Sequence, residues 1–270
     1  MSFFTSLSGM KNAQTDLAVI SHNIANAETT GFKKSNAAFA DLVATGGSTD
    51  PRLTPGIGSR VQAITQDFSL GALTQTGRGL DVAISGDGFL ATANPTTGDL
   101  TFTRNGALEV VASGALQDPS GDLVQGFPVD ATGTPTSAVP GNITLPLTNG
   151  AGSALTNVSI NQQGLVSGSF ADGTSQPVAQ IALAAFPATG GLRAIGETKY
   201  EASADSGAAI YGNPGEGNYG AIRTGTLERS NVDLADEMVS LLTAQRNFQA
   251  NARALDTATS ISQVVLNLQS

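Results

Sequence analysis

"LADEMVSLLTAQRNFQANARAL", residues 234–255, is the stretch on which the fold turns. Leu234, Met238, Leu241, Gln245, Phe248, Ala252 and Leu255 alternate four and three apart, the repeat of a helix with a single seam. The register shifts once near Ala258, after which Ile261, Val265 and Leu268 resume it. Upstream, Ser230 followed three residues later by Asp233 reads as a capping-box-like start. Asp233, Asp236 and Glu237 place negative charge where first-turn amides point. A helix over 231–268 is on the order of 57 Å long and about three times the average globular helix. Polar Arg246, Asn247, Gln249, Asn251 and Arg253 surround the seam, so its apolar side calls for a partner, and packing between subunits is favoured over an ordinary buried helix.

The other end of the chain carries a counterpart. Leu7, Met10, Ala13, Leu17, Ile20, Ile24 and Ala27 fall three or four apart, which predicts a helix over about 4–27, roughly 36 Å long. It ends in "SHNIANAETTGF", residues 21–32, where Gly31 permits the turn and Phe32 anchors it. Asn23 and Asn26 are expected to hydrogen-bond backbone or neighbouring helices at this corner, and Lys33-Lys34 reads as a solvated pair just beyond it. Leu234, Met238, Leu241, Phe248 and Leu255 are expected to bury against Leu17, Ile20 and Ile24 of the same or a neighbouring chain. Small residues such as Ala13, Ala244 and Ala252 let such helices approach closely.

Between the ends the period changes. In "GLDVAISGDGFLAT", residues 79–92, Leu80, Val82 and Ile84 face one way and Asp81 the other, as in a half-buried strand. "SGDG", "RNG", "PSGD", "NQQG" and "ADGTSQ" supply turn chemistry, so 57–228 reads as an antiparallel β domain. Within it, 129–155 is rich in Thr, Pro, Gly and Ala and reads as a loop or small insertion. The fold class is therefore α+β: an N-terminal assembly helix over 1–31, a connecting segment over 32–56, the β domain, and a C-terminal heptad helix over 229–270.

Composition narrows the function. Aromatic residues make up 5% of the chain and Trp is absent, so the apolar content comes from aliphatic residues and suggests thin sheets and helices rather than one thick aromatic core. A net charge of -9 argues against nucleic acid. The absence of Cys removes disulfides and thiol chemistry. No apolar run of about 18 residues is present to enter a membrane, and the N-terminal stretch lacks the pattern of a cleaved secretion signal.

His22, the only histidine, lies on a helix beside Asn23 with no nucleophile elbow in the sequence, and position 26 is Asn rather than a metal-pairing His. "GRGLDVAISGDG" lacks the third glycine of a phosphate loop. Asp81, Asp87, Asp99, Asp118 and Asp122 form no calcium-loop series and read as turn residues. Asn142 and Asn157 begin short glycosylation-type patterns that arise often by chance. No catalytic residue, metal or cofactor is assigned.

Three blocks carry a resemblance. "LAVISHNIANAETTGFKKSNAAFADLV" resembles the N-terminal signature of bacterial flagellar rod and hook proteins, "GALTQTGRGLDVAISGDGFL" the opening of their β domain, and "GTLERSNVDLADEMVSLLTAQRNFQANARAL" their C-terminal helix. The blocks occur in the family's order. "SLSGM", "FADLV" and "SNVDLADEMVSLLTAQRNFQANA" are most similar to hook subunits, whereas the short 129–155 region, lacking a second inserted β domain, is as compact as in a distal rod protein.

The resemblance implies a structural subunit of the flagellar hook or, alternatively, of the rod of the basal body. Copies would form a hollow tube with the terminal helices as an inner coiled-coil layer, transmitting torque and lining the export channel. Implied interface residues are Leu7, Met10, Leu17, Ile20, Ile24, Leu234, Met238, Leu241, Gln245, Phe248, Ala252, Leu255, Ile261 and Val265. Implied partners are copies of itself, other axial proteins such as rod, hook-cap and hook–filament junction proteins, and the flagellar type III export apparatus, which delivers family members without signal cleavage. A carbohydrate-binding surface β protein is the alternative from another class.

Overall fold

The computed structural model describes residues 2–43 and 56–268, and the side chain of Val265 lies outside the described residues. The chain divides into two compact units. One is built from residues 1–27, 34–67 and 232–270, and the other from 28–33 and 68–231.

The first unit pairs the two ends. Helix α1 spans Ser2–Ala25 and α2 spans Leu234–Leu268, close to the segments their periodicity marks. The start of α2 differs in its cap. Asp233 Oδ1 accepts the amides of Ala235 (2.8 Å) and Asp236 (3.3 Å), so Asp233 caps the first turn. Against α1 lies an antiparallel hairpin of β1 (Ser35–Val43) and β2 (Gly56–Gln66). The sequence reading made 32–56 a connection and began the β domain at 57. In the structure 34–67 belongs with the helices, and the described ends of that segment are strands. A bulge between Ala38 and Phe39 shifts the register, and the inside–outside alternation of β1 changes phase there.

The second unit is antiparallel throughout its main sheet. Its path runs Leu155–Ile160, Leu165–Phe170, Ser175–Ile181, Leu123–Pro128, Phe89–Ala93, Leu100–Thr103, Lys199–Glu201 and Arg193–Gly196. "NQQG" and "ADGTSQ" make the two turns at one edge, with Gly164 and Gly173 at φ +76° and +80°. The 129–155 region differs from a free loop. Ile143 and Leu145 are fully buried in an aliphatic cluster with Leu116, Val124, Val166 and Leu183, so this stretch closes one side of the core.

Part of the aromatic complement is gathered in one place. Phe89, Phe102, Phe186 and Tyr200 form a second cluster, with Phe68 packed on it. Ring centroids lie 4.8–6.0 Å apart in edge-on pairs. Burial, aided by nearby Glu228 and opposed by Arg104, pushes the Tyr200 phenol up from 10.0 to about 12. An unfolded chain releases that proton first, so this contribution to stability is complete below pH 10 and is lost as the pH rises through 12. The expected loss is about 2–3 kcal/mol across that window. Urea titrations of wild type and Tyr200→Phe at pH 9 and 11.5 check this. A fall equally steep in both proteins would show that Tyr200 is not responsible.

Candidate assembly surfaces

The corner after α1 is built by side chains holding backbone. Asn23 is 1% exposed, its Nδ2 donates to the Ser35 carbonyl and its Oδ1 accepts the Ser35 amide, both at 2.9 Å. The same Nδ2 lies 3.4 Å from Glu237 Oε2 on α2. One amide side chain thus ties α1 to both β1 and α2. Asn26 Nδ2 donates to the His22 carbonyl at 2.9 Å and finishes the helix locally. His22 itself is exposed, and its carbonyl serves this closure.

Gly31 and Phe32 are buried in the second unit. Gly31 sits at φ +71° and donates its amide to the Glu228 carbonyl at 2.8 Å. A Cβ there would stand 2.6 Å from the Asn105 amide nitrogen, against backbone that cannot swing aside. Gly31→Ala therefore combines a left-handed conformation with a clash, and is expected to cost more than about 2 kcal/mol. Chemical denaturation tests it. A change within about 0.5 kcal/mol would mean that the corner yields.

Lys33 corrects the sequence reading. It is not solvated: it is 1% exposed, and its Nζ donates to Glu228 Oε1 at 2.5 Å and to the Ser69 carbonyl at 2.6 Å. Glu228 Oε1 also accepts the Gly71 amide at 2.9 Å. Arg104 Nη1 stands 3.5 Å from Glu228 Oε2, and its guanidinium lies 5.2 Å from the Phe89 ring centre. Burial, the largest influence, lowers the Arg104 pKa and Glu228 opposes it. Lys34 is half-buried, 4.0 Å from Asp67.

A second buried cluster was read as turn residues only. Asp118 Oδ1 does cap its turn, accepting the amides of Ser120 and Asp122. Yet Lys199 Nζ lies 2.9 Å from Asp118 Oδ2 and 2.5 Å from Asp122 Oδ2. Burial works most strongly against the Lys199 charge, and the two carboxylates outweigh it, so its pKa is raised.

The helix pair divides the seam. Ala13, Val19, Ile20 and Asn23 of α1 and Glu237 and Ala244 of α2 are buried. Leu7, Met10, Leu17, Ile24, Leu241, Phe248, Ala252 and Leu255 are half-buried. Leu234, Met238, Gln245 and Ile261 remain exposed, together with Val239, Leu242 and Val264 outside the expected seam. At Gly9 there is no room for a side chain as the neighbours stand, because a Cβ there would meet the Asn251 side chain at 2.5 Å. The hairpin is fastened by polar contacts: Asn12 Nδ2 donates to Ser59 Oγ at 2.7 Å, and the Ser59 amide to Ser8 Oγ at 3.3 Å.

Known proteins match these same segments. Residues 4–33 match the family described as flagella basal body rod protein, 83–168 the flagellar hook protein FlgE/F/G D1 domain, and 223–268 the flagellar basal body rod FlgEFG protein C-terminal. The flagellar basal-body rod protein FlgG of Bacillus subtilis is 37% identical over 281 aligned positions, covering 99% of this chain and 98% of that one. This chain belongs to the flagellar rod and hook protein family. FlgG of Caulobacter vibrioides is 34% identical over 98% of both chains. The flagellar hook protein FlgE of Escherichia coli is 28% identical, with both chains fully covered.

The family blocks coincide with the features just described. The first holds α1, Gly31 and Lys33, and the last holds Glu228 and α2. Lys33 and Glu228 lie 195 residues apart in sequence and meet in one buried ion pair. Local sequence carried no signal of this pairing, because its partners are 195 residues apart and Lys33-Lys34 after a helix end reads as solvated.

Proposed function

We propose that the chain is the repeating subunit of a flagellar axial tube, polymerising with copies of itself through its terminal helices, and that the tube is the hook. The supporting observation is the outer face of the helical unit. Phe4, Val239, Leu242, Ile261 and Val264 are each at least 55% exposed, and Leu234 and Met238 add to them. So much apolar surface on two long helices is the mark of a face that another protein covers. The interface set inferred from sequence extends this reading, its exposed members Leu234, Met238, Gln245 and Ile261 meeting neighbours. The partners are other axial proteins above and below, and the flagellar type III export apparatus delivers the chain. Its role there is to transmit torque and line the channel.

The similarity of "SNVDLADEMVSLLTAQRNFQANA" to hook subunits supports the hook. A rod reading is favoured by a different observation: the FlgG alignments run nearly residue for residue, whereas the FlgE alignment needs 412 positions for a chain of 270. Immunogold labelling of purified hook–basal bodies separates the two. Gold on the curved tube beyond the outer membrane supports the hook, gold confined within the envelope supports the rod, and gold on neither removes the axial assignment. Electron microscopy of the purified chain at rising concentration tests polymerisation itself, with hollow tubes as the expected product.

A further inference from the structure

A crevice of about 290 Å³ runs along the flank of the helical unit, between α1, α2 and β1. Asp16, Val19, Ile20 and Asn23 line it from α1, and Glu237 and Val239 from α2. The α1 residues follow helical spacing on one face, so Val19 and Ile20 form an apolar patch between Asp16 and Glu237, and Ser35, Asn36, Ser240 and Thr243 add polar lining. Glu237 is engaged by Asn23, but Asp16 makes no hydrogen bond or ion pair among the described residues. Burial raises the Asp16 pKa above its ordinary value, as expected of a carboxyl set into a wall without a counter-charge.

The complementary feature lies elsewhere on the same unit. Leu241, Ala244, Phe248 and Leu255 mark the α1-facing side of α2, and at 3.6 residues per turn Leu242, Arg246 and Arg253 stand on the opposite side, with Val239 at the rim of the crevice. Arg246 is exposed and without a partner among the described residues, one helical turn from exposed Leu242. An aliphatic-flanked guanidinium matches a polar crevice with a small aliphatic patch and a carboxylate, since its planar fork can bond a carboxylate while its stem covers apolar surface.

We propose that the crevice of one copy receives Arg246 of a neighbouring copy, pairing with Asp16; this rests on the polymerisation reading above. Repeated head to tail, the contact builds an open helical array, the form that the polymerisation reading requires. Lys11 and Arg60 are also exposed cations of this unit, but neither lies on the face of α2 that carries exposed Leu242.

The test compares wild type, Asp16→Arg, Arg246→Glu and the reciprocal double variant by sedimentation and electron microscopy in low-salt buffer. Each single change is expected to raise the critical concentration for polymerisation at least about tenfold, and the double swap to return it to within about threefold of wild type. Arg246 is exposed, so Arg246→Glu should melt like wild type, which separates loss of contact from loss of fold. Asp16→Arg combined with Arg253→Glu is expected to stay defective. The proposal is overturned if Arg246→Glu polymerises normally, if the reciprocal swap is no better than its parents, or if Arg253→Glu is the change that rescues. A wild-type chain that forms no tubes overturns the polymerisation reading, and the contact goes with it; tubes from wild type with normal single variants remove the contact alone.

Discussion

Glu228→Ala is expected to destabilise the strand-rich unit by about 3–5 kcal/mol, the cost of removing one partner from a buried charge cluster. Lys33 would lose its carboxylate, Arg104 its nearest counter-charge, and the Gly71 amide its acceptor. Two cations would then share a site closed to water. Lys33→Met is expected to cost less, because Glu228 would still face Arg104 and still accept from Gly71. Urea unfolding followed by β-sheet circular dichroism measures both. Equal losses for the two variants, or a loss below about 1 kcal/mol for Glu228→Ala, would show that the cluster is dispensable.

Leu242→Asp should leave the monomer's melting temperature unchanged and raise the critical concentration for polymerisation about a hundredfold. The leucine is 55% exposed on the face away from α1, so the folded monomer loses little. A neighbour that covers it forfeits about 2–3 kcal/mol of apolar burial and must also desolvate a carboxylate. Phe248→Asp makes the contrast. Phe248 is half-buried on the α1-facing side, so a charge there separates the helices and lowers helicity before any polymer can form. Sedimentation beside thermal melts distinguishes the two. Leu242→Asp chains that polymerise like wild type would remove the outer face from the interface.

The helices were legible because a 3.5-residue repeat survives without knowledge of what it packs against. Leu241, Phe248 and Leu255 keep that spacing whichever helix receives them. Which side of α2 faces α1 was less legible, since Ala244 and Glu237 are buried there while Leu234 and Met238 are exposed. Close approach favours small residues, and a seam drawn through large apolar ones misses it. Strand turns were readable from Gly, Asn and Asp, but the same residues hid Asp118 and Asp122, because a carboxylate can cap a turn with one oxygen and pair with Lys199 through the other. The hairpin was missed for another reason. Ala37, Ala40 and Leu42 alternate with exposed positions only after allowing for the bulge at Ala38/Phe39, and a bulge leaves no mark in local sequence.

The helical unit gathers residues 1–27, 34–67 and 232–270, so its two long elements are separated by nearly the whole chain. Loop-closure entropy and contact order lead to the expectation that this unit forms last, after the strand-rich unit has folded from contacts nearer in sequence. A polypeptide released early, lacking residues 234–268, would leave Ala13, Val19 and Ile20 uncovered and offer no second helix to a neighbour. On the assembly proposed above, the surface that joins subunits would exist only on chains synthesised through α2, so the architecture would screen out truncated chains before they could be added to a growing structure.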